Sequence, residues 1–494
     1  MAEPATRLSR RCALLACAFI ASSATAQPID LRALPAIAKV DPLFQSFNVE
    51  MVEVTGGRFW APYASTSGER YAQRPPIDLT HPKLRAAAKA LAPAYMRVSG
   101  TWANSTYVPT LDELEPDTPP PGYKQVLKRS QWRELVRFSK QLGLPIITSF
   151  PVSAGTRDKH GLWQPEQAKR LLALTKAYGG KIAAAEFANE PNLTKLGELP
   201  VDYSAQHFAL DYQIFRDFMR KQAPRVITLG PGTSGEGGDI RAENIMAATR
   251  GDYQAISYHF YGALSQRCTK DDVQADDALS ETWLVRTAAA YDVYARFRDE
   301  FAPGKPIWLT ETAQAACGGS PWAATWRDTF RYLDQQGRLA ALGVQVVAHN
   351  TLAASDYALI DGDTMEPRPS YWGALLWRRL MGTTVLAQPA SPSPEVKLYA
   401  HCLRGKRGGV GLLAINLGGT TQKLPLSGRS ESYLMSAADL DSRQVKINGT
   451  TPIIGDKGQF PVIKARKSSG SITLPEYSIS FVAMPNIANP ACAL

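Results

Sequence analysis

From Leu43 onward, apolar runs of strand length alternate with stretches in which apolar residues recur every three or four positions. The strand-like runs are LFQSFNVEM (43–51), AYMRVSG (94–100), PIITSFPV (145–152), KIAAAEF (181–187), RVITLGP (225–231), AISYHFYG (255–262), PIWLTETA (306–313) and VQVVAHN (344–350). Each is followed by a helical pattern, such as SQWRELVRFSKQLG, where Ser130 reads as an N-cap and Gly143 as a stop. Eight strand-then-helix units in about 340 residues predict a (β/α)8 TIM barrel over 41–382.

Beyond Gly382 the helical period disappears. VKLYAHCLR, GGVGLLAINLG, TQKLPL, SYLMS, RQVKING and SGSITLPEYSISFVAMP alternate apolar and polar residues between Gly, Asn and Pro turns, predicting a C-terminal antiparallel β-sandwich domain over 383–494. Residues 27–40 are too few to fold alone and are expected to pack on the sandwich or cap the barrel. No repeat at a fixed solenoid period is present.

The first 26 residues read as an export signal: Arg7, Arg10 and Arg11 precede an apolar stretch, and Ala24-Thr25-Ala26 forms an A-x-A cleavage site. A secreted or periplasmic protein is the expectation. Cys17 also ends Leu14-Leu15-Ala16-Cys17, which reads as a lipidation site, the weaker reading because five residues separate it from Arg11. No later stretch has the ~20 apolar residues that span a bilayer, so stable membrane insertion is not expected. A composition of 45% hydrophobic and 20% charged residues excludes a disordered chain. The formal net charge is +10, and loss of three Arg and one Glu with the signal leaves +8. A basic exported protein suits an acidic partner such as a polyanionic polysaccharide, although solubility alone explains the charge as often. No Lys/Arg run marks a nucleic-acid site. Four of the six cysteines follow the signal (Cys268, Cys317, Cys402, Cys492), which makes disulfides plausible without fixing their pairing.

Candidate chemistry sits at two strand ends. In KIAAAEFANEPN the apolar run stops at Asn189-Glu190-Pro191, because Pro191 brings no N–H to a ladder. In PIWLTETA, Glu311 closes another apolar run 121 positions later, a gap that fits three βα units. A lone Glu at a strand end is more often a solvated or ion-paired residue. Two carboxylates at the C-terminal ends of strands four and seven are the minimal equipment for cleaving a glycosidic bond, one protonating the leaving oxygen and the other meeting the oxocarbenium-like centre.

Taken together, APAYMRVSGT (92–101), FANEPN, ISYHFY, the stretch 308–321, DYALID (356–361), PSYWGALLWRRLMG and LYAHC (398–402) occur in an order that resembles the heparanase-like glycoside hydrolases, family 79. The resemblance runs from about Leu43 to the C-terminus. It implies an endo-β-glucuronidase acting with retention on heparan sulfate-type polysaccharides, with Glu190 as acid/base and Glu311 as nucleophile, as a monomer without metal or cofactor. An exo-acting β-glucuronidase on terminal glucuronate or its methyl derivative, and a non-catalytic glycan-binding protein, are the alternatives; insertions at 56–76 and 110–122 are the candidate blockers of one cleft end.

The same resemblance implies further substrate-binding positions. Asn189 matches the residue that bonds the sugar 2-hydroxyl, and Asn48 a polar group for ring hydroxyls. Tyr261 should orient Glu311, with His259 beside it by two-residue alternation. Tyr357 and the backbone near Cys317-Gly318 should receive the uronate carboxylate. Arg97 is the candidate to hold Glu311 ionised, and an ion pair with Glu186 is the equal alternative. Two positions depart from the family pattern, which carries Tyr at Ala316 and Gly at Cys317. Cys317 can pair with Cys268 across the cleft mouth. The resemblance implies a Cys402–Cys492 disulfide; free thiols, or Cys492 with Cys268 or Cys317, are the alternatives.

Overall fold

The computed structural model describes residue 1 and residues 28–65, 69–270 and 273–493. The expected signal segment, apart from residue 1, and Cys17 lie outside the described residues. Eight parallel strands close a barrel: β1 (Gln45–Glu50), β2 (Met96–Ser99), β3 (Ile146–Thr148), β4 (Ile182–Glu186), β5 (Ile227–Ser234), β6 (Ala255–Tyr261), β7 (Ile307–Ala313) and β8 (Val346–His349), each paired with the next and β8 with β1. Among the described residues, no helix is long and apolar enough to cross a membrane.

The barrel interior changes character along its axis. Tyr95, Ile147, Ala184, Leu229, Ala255, Trp308 and Val346 pack together as one apolar layer. Two residues further along four of these strands, the same inward parity presents Arg97, Glu186, Ser257 and Thr310, all buried. An apolar floor thus lies beneath a polar layer at the C-terminal ends. Helices cover the outside; Arg129–Leu142 ends at Gly143 in the left-handed conformation, as its sequence predicts. Its start differs from expectation. Lys128 is the N-cap, because the Gln131 side chain accepts its backbone N–H, and Ser130 lies within the first turn.

The C-terminal domain is built from β9 (Met381–Leu386), β10 (Val396–Leu403), β11 (Val410–Asn416), β12 (Gln422–Ser436), β13 (Lys446–Ile447), β14 (Arg466–Leu474) and β15 (Ser478–Met484), all antiparallel to their neighbours. The long β12 pairs with both β14 and β15 and shifts register between Pro425 and Arg429, so the sheet folds over on itself. Period-two alternation then serves two cores. Leu398, Leu412 and Val482 meet Leu424 and Leu474 inside the sandwich. Tyr399, Leu413 and Phe481 face the other way, into the core shared with the barrel. Gly337 permits that contact, since a Cβ there would lie 2.4 Å from the Tyr399 ring, whose hydroxyl donates to Asp334. The N-terminal segment also lies on the sandwich: Leu31 enters its core and strand Ala36–Lys39 pairs with β9. A Cys402–Cys492 disulfide ties β10 to the last turn.

Candidate active site

The β4 ladder ends at Glu186, and Glu190 follows in the connecting turn with φ +46°, a conformation that side-chain-bearing residues rarely adopt. Neighbouring groups over-determine it. Glu190 N–H donates to Gly232 O at 3.0 Å. Asn104 holds the preceding residue from both sides: its Oδ1 accepts Asn189 N–H at 3.0 Å and its Nδ2 donates to Asn189 O at 2.8 Å.

Glu311 reaches the interior by a different device. Trp308 and Thr310 point inward, so strict alternation would turn Glu311 outward. The ladder instead shifts register, pairing Tyr258 with Leu309 but His259 with Glu311. That irregularity brings Glu311 beside His259. One carboxylate oxygen of Glu190, one of Glu311 and a His259 ring nitrogen all lie within 4.8 Å of one another.

Arg97 is the hub beneath them. Its Nε and Nη2 donate to Glu186 Oε2 at 3.0 and 2.7 Å, Nη1 donates to Glu311 Oε2 at 2.8 Å, and Nη2 also donates to Asn189 Oδ1 at 2.8 Å. Both alternatives for Arg97 are therefore realised by one planar fork. Burial pushes the Glu311 carboxyl up, but His259, Arg97 and a hydrogen bond from Tyr261 outweigh it and hold the group below its ordinary value. Glu186 is lowered in the same way, burial being overcome by Arg97, His259 and the Thr310 hydroxyl.

His259 is fully buried, with Nδ1 3.1 Å from Glu190 Oε1 and Nε2 3.1 Å from Arg97 Nη2. In the neutral ring Nε2 accepts from Arg97 and Nδ1–H donates to Glu190 Oε1; in the imidazolium Nε2–H is a donor, with Glu186 Oε1 3.9 Å away. Burial disfavours the imidazolium, yet the Glu311, Glu186 and Glu190 carboxylates push its pKa up to about 9. Arg97 and His259 lie under the carboxylates, where they hydrogen-bond Glu186, Glu311, Asn189 and Glu190 and so position those groups.

Tyr261 donates to Glu311 Oε1 at 2.7 Å. Behind it, Asn350 Nδ2 contacts the hydroxyls of Tyr261 and Tyr357 at 2.9 and 3.1 Å and donates to Glu50 Oε1 at 3.0 Å. Glu50, Asn350 and Asn104 belong to the site and sequence reasoning missed them. Two carried a signal: like Asn189, Glu50 and Asn350 close or follow an apolar barrel strand. Glu50 is buried, and burial first, then Glu311, pushes its carboxyl well above the ordinary range. Asn48 lies beside Arg97 in the β1–β2 ladder, buried, and its amide has no hydrogen-bond partner among the described residues.

The loops after β6 and β7 are joined by a Cys268–Cys317 disulfide. Arg267 spans four loops at this point: Nη1 donates to Cys317 O and Gly319 O, each at 3.2 Å, and Nη2 donates to Ala61 O and to Asp356 Oδ2. Gly318 is close-packed here, for a Cβ on it would lie 2.6 Å from Trp60 Cβ and 2.8 Å from Arg267 Nη1. Tyr357 stands across the loop from Gly319 and 6.3 Å from the Tyr261 ring.

The family model described as glycosyl hydrolase family 79, N-terminal domain, matches residues 68–337. Heparanase of Bos taurus is 26% identical over 92% of this chain and 90% of its own length. Hyaluronoglucuronidase of Hirudo nipponia is 26% identical over 84% of this chain and 92% of its own. Among solved structures, a 4-O-α-L-rhamnosyl-β-D-glucuronidase from Fusarium oxysporum 12S aligns with a TM-score of 0.67 and 13% identity, covering 93% of this chain and 100% of its own, a likeness of fold.

Proposed function

The chain belongs to glycosyl hydrolase family 79, is a glycoside hydrolase of the glucuronidase type, and on that premise we propose that it cleaves internal glucuronate linkages of heparan sulfate-type polysaccharides with retention, as an exported monomer. The observation that carries the reading is the close approach of Glu190 and Glu311, with oxygens within 4.8 Å of each other. Retaining enzymes place the two carboxyls about 5–5.5 Å apart, whereas inverting ones leave about 6.5–9.5 Å for a water.

The roles follow from the partners of each group. Glu311, held ionised by Arg97 and Tyr261, attacks the anomeric carbon. Glu190 gives a proton to the leaving oxygen, and a covalent glycosyl-enzyme forms. Glu190 then takes a proton from water, which releases the sugar at the same face. His259 Nδ1, hydrogen-bonded to Glu190 Oε1, steadies that carboxyl as it gives up and regains its proton. Asn189 and the unpartnered Asn48 amide receive ring hydroxyls. Gly318 and Tyr357 receive the uronate carboxylate where the family Tyr is replaced by Ala316. Four cysteines paired in two disulfides suit an oxidising compartment outside the cytoplasm.

One observation favours the exo-acting alternative. The loop after β1 folds against the β7 loop through Trp60, Gly318 and Arg267, walling one side of the site. Digestion of size-defined heparan sulfate with chromatography of the products separates the two: mid-sized fragments appearing early are expected. Release of monosaccharide from chains that shorten one unit at a time establishes exo action, and an undegraded polymer overturns the substrate assignment.

A further inference from the structure

A second charged site lies at the opposite end of the barrel. Arg378, on helix Pro369–Leu380, donates Nη1 to Pro42 O at 2.9 Å and Nε to Ala92 O at 3.3 Å. Both carbonyls precede barrel strands β1 and β2, so this is the N-terminal rim, away from Glu190 and Glu311. Beside it, β9, the turn after β10 and residues 491–493 line an open cavity of about 510 Å³ that includes Thr383, Thr384, Arg404, Lys406, Arg407 and the Cys402–Cys492 bridge.

Among the described residues, the charge here has no counter-ion. Among the described residues, no carboxylate lies within 4.0 Å of Arg378, Arg404, Lys406 or Arg407. Arg404 gives Nη2 to Met381 O at 2.8 Å, while its Nε is buried with no partner. Burial and the neighbouring Arg404 push the Arg378 pKa down to about 10, as expected of crowded like charges. A half-buried guanidinium without a counter-ion is costly, and an anion with several oxygens is what relieves it. The turn is also held in place. Gly405 and Gly408 take φ of +72° and +71°, Gly408 N–H donates to Cys492 O at 2.7 Å, and Gly408 O accepts Asn489 N–H at 2.9 Å. The disulfide thus anchors the wall of a cationic cavity.

We propose that this cavity binds an anionic group of an acidic polysaccharide, a sulfate or a carboxylate, as a second and non-catalytic glycan contact on the face opposite the carboxylate pair. The polysaccharide identity rests on the substrate reading above; the anion site does not. Because the two sites occupy opposite ends of the barrel, the second contributes to retention on long chains and leaves turnover of a small aryl glucuronide unchanged.

The test uses the full chain, a K406S/R407S double variant at two exposed positions, and R404Q. Three quantities are measured: affinity for long heparan sulfate chains at 0.1 M salt, the rise in melting temperature with inorganic sulfate, and aryl β-glucuronide turnover. We expect about tenfold weaker polymer binding in K406S/R407S, since hydrogen bonds to charged groups contribute at about that level. We also expect a smaller sulfate effect in R404Q and aryl turnover within twofold of wild type. Polymer binding equal to wild type in both variants overturns the proposal. A lost sulfate effect with unchanged polymer binding identifies a site for free inorganic anion and also overturns it. Weakened polymer binding without aryl glucuronide turnover in any of the proteins leaves this site standing and removes the substrate reading instead.

Discussion

At the C-terminal end of the barrel, Arg97 and His259 are enclosed by Glu186, Glu190 and Glu311, whereas at the N-terminal end Arg378 and Arg404 meet, among the described residues, backbone carbonyls and no carboxylate. Both ends bury cations, but among the described residues one end alone supplies their counter-charge. At the mouth each ion fixes another, so Arg97 settles the geometry of Glu311, Glu186 and Asn189 together, and such preorganised charge suits bond breaking. At the base the field is left open to solvent, which suits ligand capture. The difference separates a site that acts on its ligand from one that holds it.

Removing a member of the balanced cluster should have the largest effect. Glu311→Ala and Glu190→Ala are each expected to lower glucuronide hydrolysis by about 10⁴-fold or more, the scale at which deletion of a nucleophile or its proton-transfer partner acts. They should differ with a substrate whose leaving group needs no protonation: Glu190→Ala accumulates a glycosyl-enzyme, visible by intact-mass measurement, and Glu311→Ala does not. Near wild-type turnover in both would remove the pair from the mechanism.

Next in size come the two disulfides, one at each end of the comparison. Opening the Cys402–Cys492 loop, with a sequence separation of 90, should cost about 4–5 kcal/mol in the chain-entropy model. Cys402→Ser with Cys492→Ser is expected to lower the melting temperature while aryl glucuronide turnover at low temperature persists. Opening Cys268–Cys317, with a separation of 49, should cost about 4 kcal/mol by the same model and also raise KM for glucuronides, because it frees the loop carrying Gly318. A wild-type KM in the second variant would show that the bridge at the mouth is only a brace.

The most gradual effect, spread over several pH units, concerns Glu53, behind β1 on the mouth side. Its Oε1 accepts Glu50 N–H at 2.9 Å, and burial, opposed by that bond and by Arg74, raises its carboxyl to about 8. The folded state therefore keeps a proton that the unfolded chain releases near pH 4.5. Stability from this group is full below pH 4.5 and is lost as pH rises toward 8, by at most about 1.4 kcal/mol per pH unit. Glu53→Gln should flatten that slope in urea midpoints measured from pH 5 to 8, leaving the part due to Glu50. An unchanged slope would show that Glu53 titrates as it does in the unfolded chain.

Much of this was legible before any coordinates, and for a physical reason. Strand and helix periods depend on local geometry, so eight alternating units, the switch to period two after Gly382, and apolar runs that stop at Asn189-Glu190 and near Glu311 could be read from residue order alone. Harder to read were Asn104, Glu50 and Asn350. Each is an ordinary polar residue whose importance comes from what another loop brings to it, as Asn104 shows by clamping Asn189 from 85 positions away.

The sequence by itself determined that two carboxylates would stand at the ends of the fourth and seventh strands, since chain order and strand period place them there. Tertiary structure decided which way they point. Glu311 turns inward only because the β6–β7 ladder slips beyond Tyr258, and Glu190 holds a positive φ only because Gly232 and Asn104 bind the turn around it. Likewise, composition gave a positive chain, but only the fold separated the cations into those neutralised around Glu311 and those around Arg404 that have no carboxylate partner among the described residues. Pairing of charges depends on distances of a few ångströms between residues remote in sequence, and local periodicity carries no information about them.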